Sequence, residues 1–464
     1  LQLAARQYDD ADKTLQIART ANPSVELIER IDFLAGRAQY EAQRFASAGE
    51  IFRQVAQSSS AHAREALFNA SLAWMQAGDA AQLAATEQEL KQRGADEGSR
   101  GELALAQGLV QAAKGDPAAA AKLQEFTRAF PNHPRVAEAW VALAELAFHQ
   151  APPRLPEARE HLKRAVESQP NPAAQERADY LSVWLEELAP NENKTIELAR
   201  AFLEKHPQSS VARDVRLKLA ELYYRRQDFA NAQTQFAALA QEERSGPLAE
   251  TAQFFAAESA RQSMAGGALE RALVLFEELV RKNGAMKWPA RNAQAVIERK
   301  LGQPQDALTL YEEVLRSDAQ VAEKQEALCG KGDILYELGA ANPENYRRAI
   351  AAYDELAAQS RPGMHWRNQA LFKKGMCLEK LNAPEEALAA FYEIVEDGSR
   401  PDRRREFFWF YKAGFNAARL LEERAEWKPA VAIYEKLAFA GGARSDEAKS
   451  RLERLRLEHF LWDI

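Results

Sequence analysis

One three-residue pattern recurs along the whole chain and limits the folds that the chain can adopt. A residue that is usually small is followed by a bulky one four positions later and by an apolar one seven positions later. The twelve triplets are Ala11-Leu15-Ala18, Ala48-Phe52-Val55, Leu83-Glu87-Leu90, Ala119-Leu123-Phe126, Ala158-Leu162-Ala165, Thr195-Ala199-Phe202, Ala232-Phe236-Leu239, Ala272-Phe276-Leu279, Ala307-Tyr311-Val314, Ala349-Tyr353-Leu356, Ala387-Phe391-Ile394 and Ala430-Tyr434-Leu437. These spacings place three side chains on one face of an α-helix. The pattern therefore predicts a helix that returns about every 38 residues.

A second helix precedes most of these triplets. It carries a small residue where another helix must cross it, and a short turn joins it to the triplet helix. The small residues are Gly36, Ser71, Ala220, Ala295, Gly332, Gly375 and Ala418. The two helices form a hairpin, which cannot bury its apolar face alone, whereas a stack of hairpins buries a continuous one.

These hairpins resemble the tetratricopeptide repeat, in which a first helix with Trp, Leu-Gly and Tyr precedes a second with Ala, Phe, Ala and Pro. The best matches are the segments 218–236 and 374–391, and Trp140 with the helix that ends before Pro170. The repeats of 35 to 43 residues exceed the family period of about 34. They are also similar to the long, alanine-rich repeats of bacterial cell-envelope proteins of this family.

The resemblance implies an all-α fold, an α-α superhelix or solenoid of antiparallel hairpins. Residues 1–28 are expected to form a partial first repeat that contains only its second helix. Residues 29–443 are expected to form about eleven hairpins in one superhelix. Residues 444–464 read as a C-terminal capping helix, because a polar-backed terminal helix closes many solenoids.

Composition excludes several classes of protein. The net charge of −7 argues against a dedicated nucleic-acid binder, which carries a basic patch. Two cysteines cannot form a disulfide scaffold in 464 residues, and they leave the compartment open between the cytoplasm and a bacterial periplasm or envelope. No apolar run approaches the roughly 18–20 residues that span a bilayer. Since the chain begins at Leu1 without a methionine, we expect it to be part of a longer protein, in which another part would supply any membrane contact.

The sequence offers no catalytic pattern. No two of its seven histidines are four residues apart, and His-Glu-x-x-His, Cys-x-x-Cys and Gly-x-Ser-x-Gly are absent. Gly330-Lys331-Gly332 lacks the spacing of a phosphate-binding loop, and the helix crossing explains Gly332. We therefore expect no enzymatic activity, no cofactor, no metal and no small-molecule substrate.

Binding of a protein or peptide is the function that the resemblance implies. In this family the first helices line a concave groove, and positions five, nine and twelve of each repeat tend to face it. Carried over to this sequence, the main candidates are Phe33, Arg37, Tyr40, Phe68, Leu72, Val141, Glu145, Phe148, Leu217, Glu221, Tyr224, Tyr336, Phe372 and Met376. Aromatic anchors supply affinity and charges set the register of a bound peptide. The alternative for each residue is packing between adjacent hairpins.

A basic and aromatic segment at 403–411 interrupts the repeat. Three arginines, Arg403 to Arg405, precede the aromatic run that contains Phe407, Phe408, Trp409 and Phe410. A helix can bury only part of such a run on one face. The segment is therefore either a helix buried on all sides or a second contact surface.

These patterns predict a non-catalytic protein-interaction scaffold that binds a peptide or protein in the concave groove of a superhelix. The alternative is an accessory region of a larger protein. That protein would be either a cell-envelope assembly or secretion protein, or an enzyme whose catalytic domain lies outside this chain.

Overall fold

The computed structural model of the chain describes residues 2–59, 61–94, 96–243, 245–263, 265–361, 363–400 and 405–461. Over these residues the secondary structure is entirely helical, without a strand. The chain divides into two compact units, Leu1–Leu219 and Ala220–Ile464, and the boundary falls inside one helix. The prediction of an all-α fold is confirmed.

The first unit contains eleven helices and the start of a twelfth among the described residues. They are α1 (Tyr8–Thr20), α2 (Val25–Glu41), α3 (Phe45–Ser58), α4 (Ala63–Ala77), α5 (Ala80–Gln92), α6 (Glu97–Ala113), α7 (Ala119–Ala129), α8 (Val136–Phe148), α9 (Leu155–Glu167), α10 (Pro172–Leu188), α11 (Glu192–Lys205) and α12 (Ala212–Arg225), which carries the boundary. Polar side chains cap the N-termini of several of these helices. Asp96 and Asn171, for example, accept hydrogen bonds from backbone N–H groups in the first turns of α6 and α10.

The second unit continues with helices of similar length. They are α13 (Phe229–Glu243), α14 (Pro247–Gln262), α15 (Ala268–Lys282), α16 (Lys287–Lys300), α17 (Pro304–Arg316), α18 (Val321–Leu338), α19 (Glu344–Ala358), α20 (His365–Lys380), α21 (Pro384–Ser399), α22 (Phe407–Glu423), α23 (Trp427–Phe439) and α24 (Ser445–His459). None of the helices in the described ranges is both long and apolar enough to cross a membrane.

Helices that are adjacent in sequence pack as antiparallel pairs within each unit, such as α8 with α9 and α18 with α19. Even-numbered helices also contact the next even-numbered helix, from α4 to α10 in the first unit and from α14 to α22 in the second. Odd-numbered helices do not pack on each other in this way in the described part of the chain. Each unit is therefore a helical solenoid whose even-numbered helices form its inner layer.

The repeated triplet forms the core of this arrangement. In ten of the twelve triplets all three side chains are buried. The predicted small residues on the first helices are also buried, and two glycines explain why size matters. A Cβ atom on Gly36 would lie 2.7 Å from the ring of Phe52, and one on Gly375 would lie 2.5 Å from the ring of Phe391. The missing side chain leaves room for the ring of the second helix.

Two triplets differ from the prediction. In α5, Leu83 and Glu87 are only half-buried, whereas Thr86 and Leu90 are buried. Thr86 therefore takes the place of the small residue and Leu90 that of the bulky one, a shift of three residues along the same helix face. In α1 only Ala11 of its triplet is buried, because α2 is the main helix that packs on α1. The predicted domain limits at residues 28 and 443 stay a prediction.

Candidate functional site

The residues predicted to face a groove fall into three classes of exposure. Arg37 and Glu221 are exposed. Ten more are half-buried: Phe33, Tyr40, Phe68, Leu72, Glu145, Phe148, Leu217, Tyr224, Tyr336 and Met376. Val141 and Phe372 are buried. Contact of these residues with a partner stays a prediction.

Val141 and Phe372 correct the predicted set, because the core covers both. Val141 has no exposed surface and packs in the cluster formed by α8, α9 and α10. The ring of Phe372 lies 5.5 Å from that of Phe391 and 5.4 Å from that of Trp409, measured between centroids. Position five thus lies at the edge of the face that packs on neighbouring helices, and local packing decides whether its side chain joins the core or stays half-buried, as Phe33 does.

Two pockets lie on the inner layer of the first unit. One, of about 410 Å³, is formed by α2 and α4 and includes Phe33 and Arg37. The other, of about 390 Å³, is formed by α6, α8 and α10 and includes Glu145. Arg177 of α10 donates two hydrogen bonds to the Glu145 carboxylate, one of them at 3.0 Å, so this charge is already paired.

A third pocket lies on the inner layer of the second unit. It has a volume of about 250 Å³, and its lining residues come from α16, α18 and α20, with one from α19. The lining residues are Arg299, Asp333, Tyr336, Glu337, Tyr353, Lys373 and Met376. The pocket thus combines two predicted residues, Tyr336 and Met376, with charged groups from neighbouring repeats. We call it the Tyr336 pocket.

Asp333 organises the polar side of the Tyr336 pocket. Its Oδ1 accepts hydrogen bonds from the Tyr353 hydroxyl at 2.8 Å and from Lys373 Nζ at 2.5 Å. Its Oδ2 lies 3.8 Å from an Arg299 nitrogen. Burial, followed by the charge of Asp333, raises the pKa of Tyr353, so this hydroxyl stays protonated and donates. The network holds these polar side chains in place.

The nucleophilic groups near this pocket are in their unreactive forms. Burial raises the pKa of Cys329 to about 11 and that of Cys377 to about 12. Both are neutral thiols at pH 7, and the thiolate is the reactive form. No group of three or more His, Cys, Asp and Glu side chains in the described part of the chain is arranged to hold a metal ion. The expectation of a non-catalytic chain stays a prediction.

The aromatic segment is divided between the core and the surface. Trp409 and Phe410 are buried, which corrects their assignment to a contact surface, whereas Phe407 and Phe408 are exposed. The reason is the helical period, since successive residues of α22 point in different directions. Lys412 Nζ lies 4.9 Å from the centroid of the Phe408 ring. Arg403 and Arg404 lie outside the described residues.

The sequence interpretation missed several polar residues of the inner layer. In the numbering of the repeat, Asn292 and Arg299 on α16 stand at positions five and twelve. Glu258 and Arg261 on α14 stand at positions nine and twelve. The same register, extended to these two helices, would have identified them. Lys373 and Glu326 stand at neither five, nine nor twelve, and only the contacts between neighbouring helices reveal them.

Comparisons with known proteins agree with this architecture. Residues 100–173, 292–341 and 344–402 match the family model described as tetratricopeptide repeat. No curated protein matches the chain significantly. Among similar solved structures, a tetratricopeptide repeat protein from Parabacteroides merdae is 13% identical, with a TM-score of 0.39, over 60% of this chain and 98% of its own. A chain of the Naa15/Naa10 structure bound to HypK-THB is 15% identical, with a TM-score of 0.36, over 85% of this chain and 66% of its own. At this similarity neither structure carries an inference about function.

The three matched stretches are tetratricopeptide repeats, and the same helix pairs recur in both units of the chain. Repeats of this family indicate a protein-interaction scaffold, with proteins as the expected partners. The likeness to repeats of bacterial envelope proteins stays a prediction.

Proposed function

We propose that the chain is a non-catalytic scaffold that binds a peptide segment of a partner protein on the inner layer of its second unit. The Tyr336 pocket is the observation that carries this proposal. The pocket is concave, it exposes part of an aromatic ring and of a thioether, and charged groups surround it. Peptide-binding grooves combine such apolar anchors with polar groups that set orientation.

The order of the polar side chains supports the proposal further. Lys373, Asp333 and Tyr353 already hold one another through hydrogen bonds, so a partner need not immobilise them, and the entropic cost of binding is reduced. Met376 is flexible and polarisable and adapts to apolar side chains of different shape. The half-buried residues of the first unit, such as Phe33 and Phe148, would form a binding surface of their own with the same kind of apolar anchors.

A peptide selection tests this function and does not require an identified partner. The purified chain is used to select from a random peptide library displayed on phage, and enriched peptides are synthesised for affinity measurements by fluorescence anisotropy. The test variant combines Tyr336→Ser with Met376→Ser. The control combines Val274→Ser with Phe439→Ser, which removes two exposed apolar side chains from the odd-numbered helices α15 and α23.

We expect the test variant to weaken binding at least roughly tenfold, because burial of one apolar side chain contributes about 1.5–3 kcal/mol. We expect the control to bind as the unmodified chain does. Circular dichroism of each variant confirms that its helices are retained. Failure to enrich any peptide, or equal affinities for the test variant and the unmodified chain, would refute the proposed site.

A further inference from the structure

A cluster of acidic side chains lies on the inner layer beside the Tyr336 pocket. Glu258 comes from α14, and Glu323 and Glu326 come from the first turns of α18. Asn292 of α16 lies between them and donates from Nδ2 to Glu326 Oε2 at 3.3 Å and to the Glu323 carbonyl oxygen at 3.0 Å. The inner helices α16 and α18 thus meet at one amide group, and the charge of Glu258 on α14 acts on Glu326.

Glu258 is neutralised within the protein. Arg261 donates from Nε to Glu258 Oε2 at 2.7 Å and from a second nitrogen to Oε1. Gln262 Nε2 donates to Oε1 at 3.0 Å, and the Tyr224 hydroxyl lies 3.5 Å from the same oxygen. In such a bidentate ion pair the guanidinium charge of Arg261 is balanced by the carboxylate of Glu258. Arg261 forms no ion pair with Glu323 or Glu326, although its positive charge lowers the pKa of the Glu326 carboxyl.

Glu323 and Glu326 form no ion pair with a Lys, Arg or His of the described residues, since every ion pair found in that part of the chain involves other groups. They are three positions apart on one helix, so their charges repel each other. Two carboxylates without an ion-pair partner therefore lie together on the inner layer.

Two acceptor atoms in the cluster lack a donor. The side chain of Asn292 has no exposed surface, and its Oδ1 has no hydrogen-bond partner among the described residues, although its Nδ2 points into the cluster at Glu326. Glu323 Oε2 is also buried without a donor. Buried polar atoms are nearly always paired in native proteins. The cluster therefore lacks a hydrogen-bond donor for these two oxygen atoms.

Glu326 is the carboxylate of the cluster that solvent reaches most freely. Glu326 is exposed to solvent, yet loss of hydration raises the pKa of its carboxyl. The hydrogen bond from Asn292 and the charge of Arg261 lower that pKa, whereas the charges of Glu323 and Glu258 raise it. The Glu326 carboxyl is therefore accessible from solvent, while the surrounding protein disfavours its charged form.

We propose that Glu323, Glu326 and Asn292 form a subsite for the Lys or Arg side chain of the partner peptide. An ammonium or guanidinium group brings both the positive charge and the several N–H donors that the cluster lacks. This inference rests on the proposed function, because the same peptide would place an apolar side chain in the Tyr336 pocket. Glu326 and Tyr336 are ten positions apart on α18, which is about 15 Å along a helix. An extended peptide covers that distance in roughly four to five residues.

The peptide selection described above also tests the subsite. We expect peptides selected by the unmodified chain to be enriched in Lys or Arg at one position, about four to five residues from an apolar one. The test variant Glu323→Gln/Glu326→Gln should still select peptides with the apolar residue but should lose the enrichment of the basic one. Peptides first selected on the unmodified chain should bind this variant on the order of tenfold more weakly.

The control Glu355→Gln/Glu386→Gln removes the same two charges from the exposed surfaces of α19 and α21. It should retain both the enrichment and the affinity. Thermal unfolding supplies a second readout, because removal of two uncompensated charges from the subsite should leave the melting temperature unchanged or raise it. A purely structural role of these carboxylates would lower it, and that result would overturn the inference.

The outcomes separate the inference from the function on which it rests. Selection of peptides that depend on Tyr336 and Met376 but show no basic enrichment refutes only the basic subsite. Basic enrichment that persists in the Glu323→Gln/Glu326→Gln variant also refutes only the subsite. A selection that yields no peptide at all refutes both proposals.

Discussion

One glutamate of each unit occupies the same position in its repeat, and the two have opposite electrostatic surroundings. Glu138 of α8 precedes position five of its repeat, Val141, by three residues. Glu326 of α18 precedes Cys329 in the same way. In the first unit, Arg135 stands three residues before the glutamate, whereas in the second unit Glu323 occupies that place. The same backbone position thus carries an opposite-charge pair in one unit and a like-charge pair in the other.

The contacts follow from this difference. Arg135 donates from Nε and from a terminal nitrogen to the two oxygens of Glu138, both at 2.7 Å, and to Glu102 Oε2 at 2.6 Å. Asn171 adds a hydrogen bond to Glu138 at 2.8 Å. The hydrogen bonds from Arg135 hold the pKa of Glu138 below its usual range. The first unit therefore supplies its own cation and gains stability, whereas in the second unit no Lys, Arg or His of the described residues forms an ion pair with Glu326.

The substitution Arg135→Glu would give the first unit the arrangement of the second, and it carries the largest expected effect. It removes three hydrogen bonds to carboxylates and places a third carboxylate beside Glu102 and Glu138. We expect the free energy of unfolding to fall by about 2–3 kcal/mol, less than for a fully buried pair because Arg135 is partly exposed. Urea denaturation of the full chain measures this change, and hydrogen exchange should locate it in α6 to α10.

Arg164→Glu is the matched control for this substitution. Arg164 forms a surface pair with Glu160 on α9, with both side chains about half exposed. Such a pair contributes roughly 0.3–0.5 kcal/mol, so its reversal should cost far less. Equal losses for the two variants would contradict the special role assigned to Arg135.

Replacement of Glu138 and of Glu326 by glutamine should change the stability of the chain at pH 7 in opposite directions. A lowered pKa means that ionised Glu138 stabilises the fold above the ordinary carboxyl pKa of 4.5, and that this contribution is lost as the pH falls through the lowered value. Glu138→Gln should therefore destabilise the chain at pH 7, by roughly 1–2 kcal/mol for the lost charged hydrogen bonds. The difference from the unmodified chain should disappear in acid.

Glu326→Gln should show the opposite behaviour. The raised pKa of Glu326 means that the folded chain binds a proton more tightly than the unfolded one, so stability falls as the pH rises from 4.5 through the raised value. The glutamine variant avoids this loss and should unfold at a higher temperature than the unmodified chain at pH 7 but not in acid. Thermal unfolding of both variants across this pH range checks the prediction. If both variants were more stable than the unmodified chain at pH 7, or both less stable, the contrast between Glu138 and Glu326 would be contradicted.

Most of the fold could be predicted from local sequence, because each repeat places a small residue and a ring at fixed helical spacing. Gly375 and Phe391 illustrate this, since one supplies the space that the other fills. The prediction was wrong at Leu83 and Glu87 because a shift of three residues keeps the same helix face. Nothing in the sequence of α5 distinguishes Thr86 from Leu83 until the neighbouring helices show which one they cover.

Less of the candidate site could be predicted, because exposure depends on neighbouring repeats. Tyr336 and Met376 follow from the family register, and both line a pocket. The same register also selected Val141, which α9 and α10 cover. Asn292 and Glu326 belong to different repeats and differ by 34 positions in sequence. Their contact depends on how α16 packs on α18, and the sequence pattern of a single repeat does not contain that information.

The substitution Glu323→Arg would give the second unit the arrangement of the first, and it has the smallest expected effect on stability. An arginine three residues before Glu326 can pair with it as Arg135 pairs with Glu138, and such a pair adds about 0.5 kcal/mol to the free energy of unfolding. The same arginine would occupy the proposed subsite, so peptides selected for a basic residue should bind this variant more weakly although the chain is more stable. Glu386→Arg on α21 makes the same change of charge away from the inner layer and should leave peptide affinity unchanged. If Glu323→Arg strengthened the binding of basic peptides, Glu326 would not be their contact, because a built-in cation can only compete with a cation from the partner.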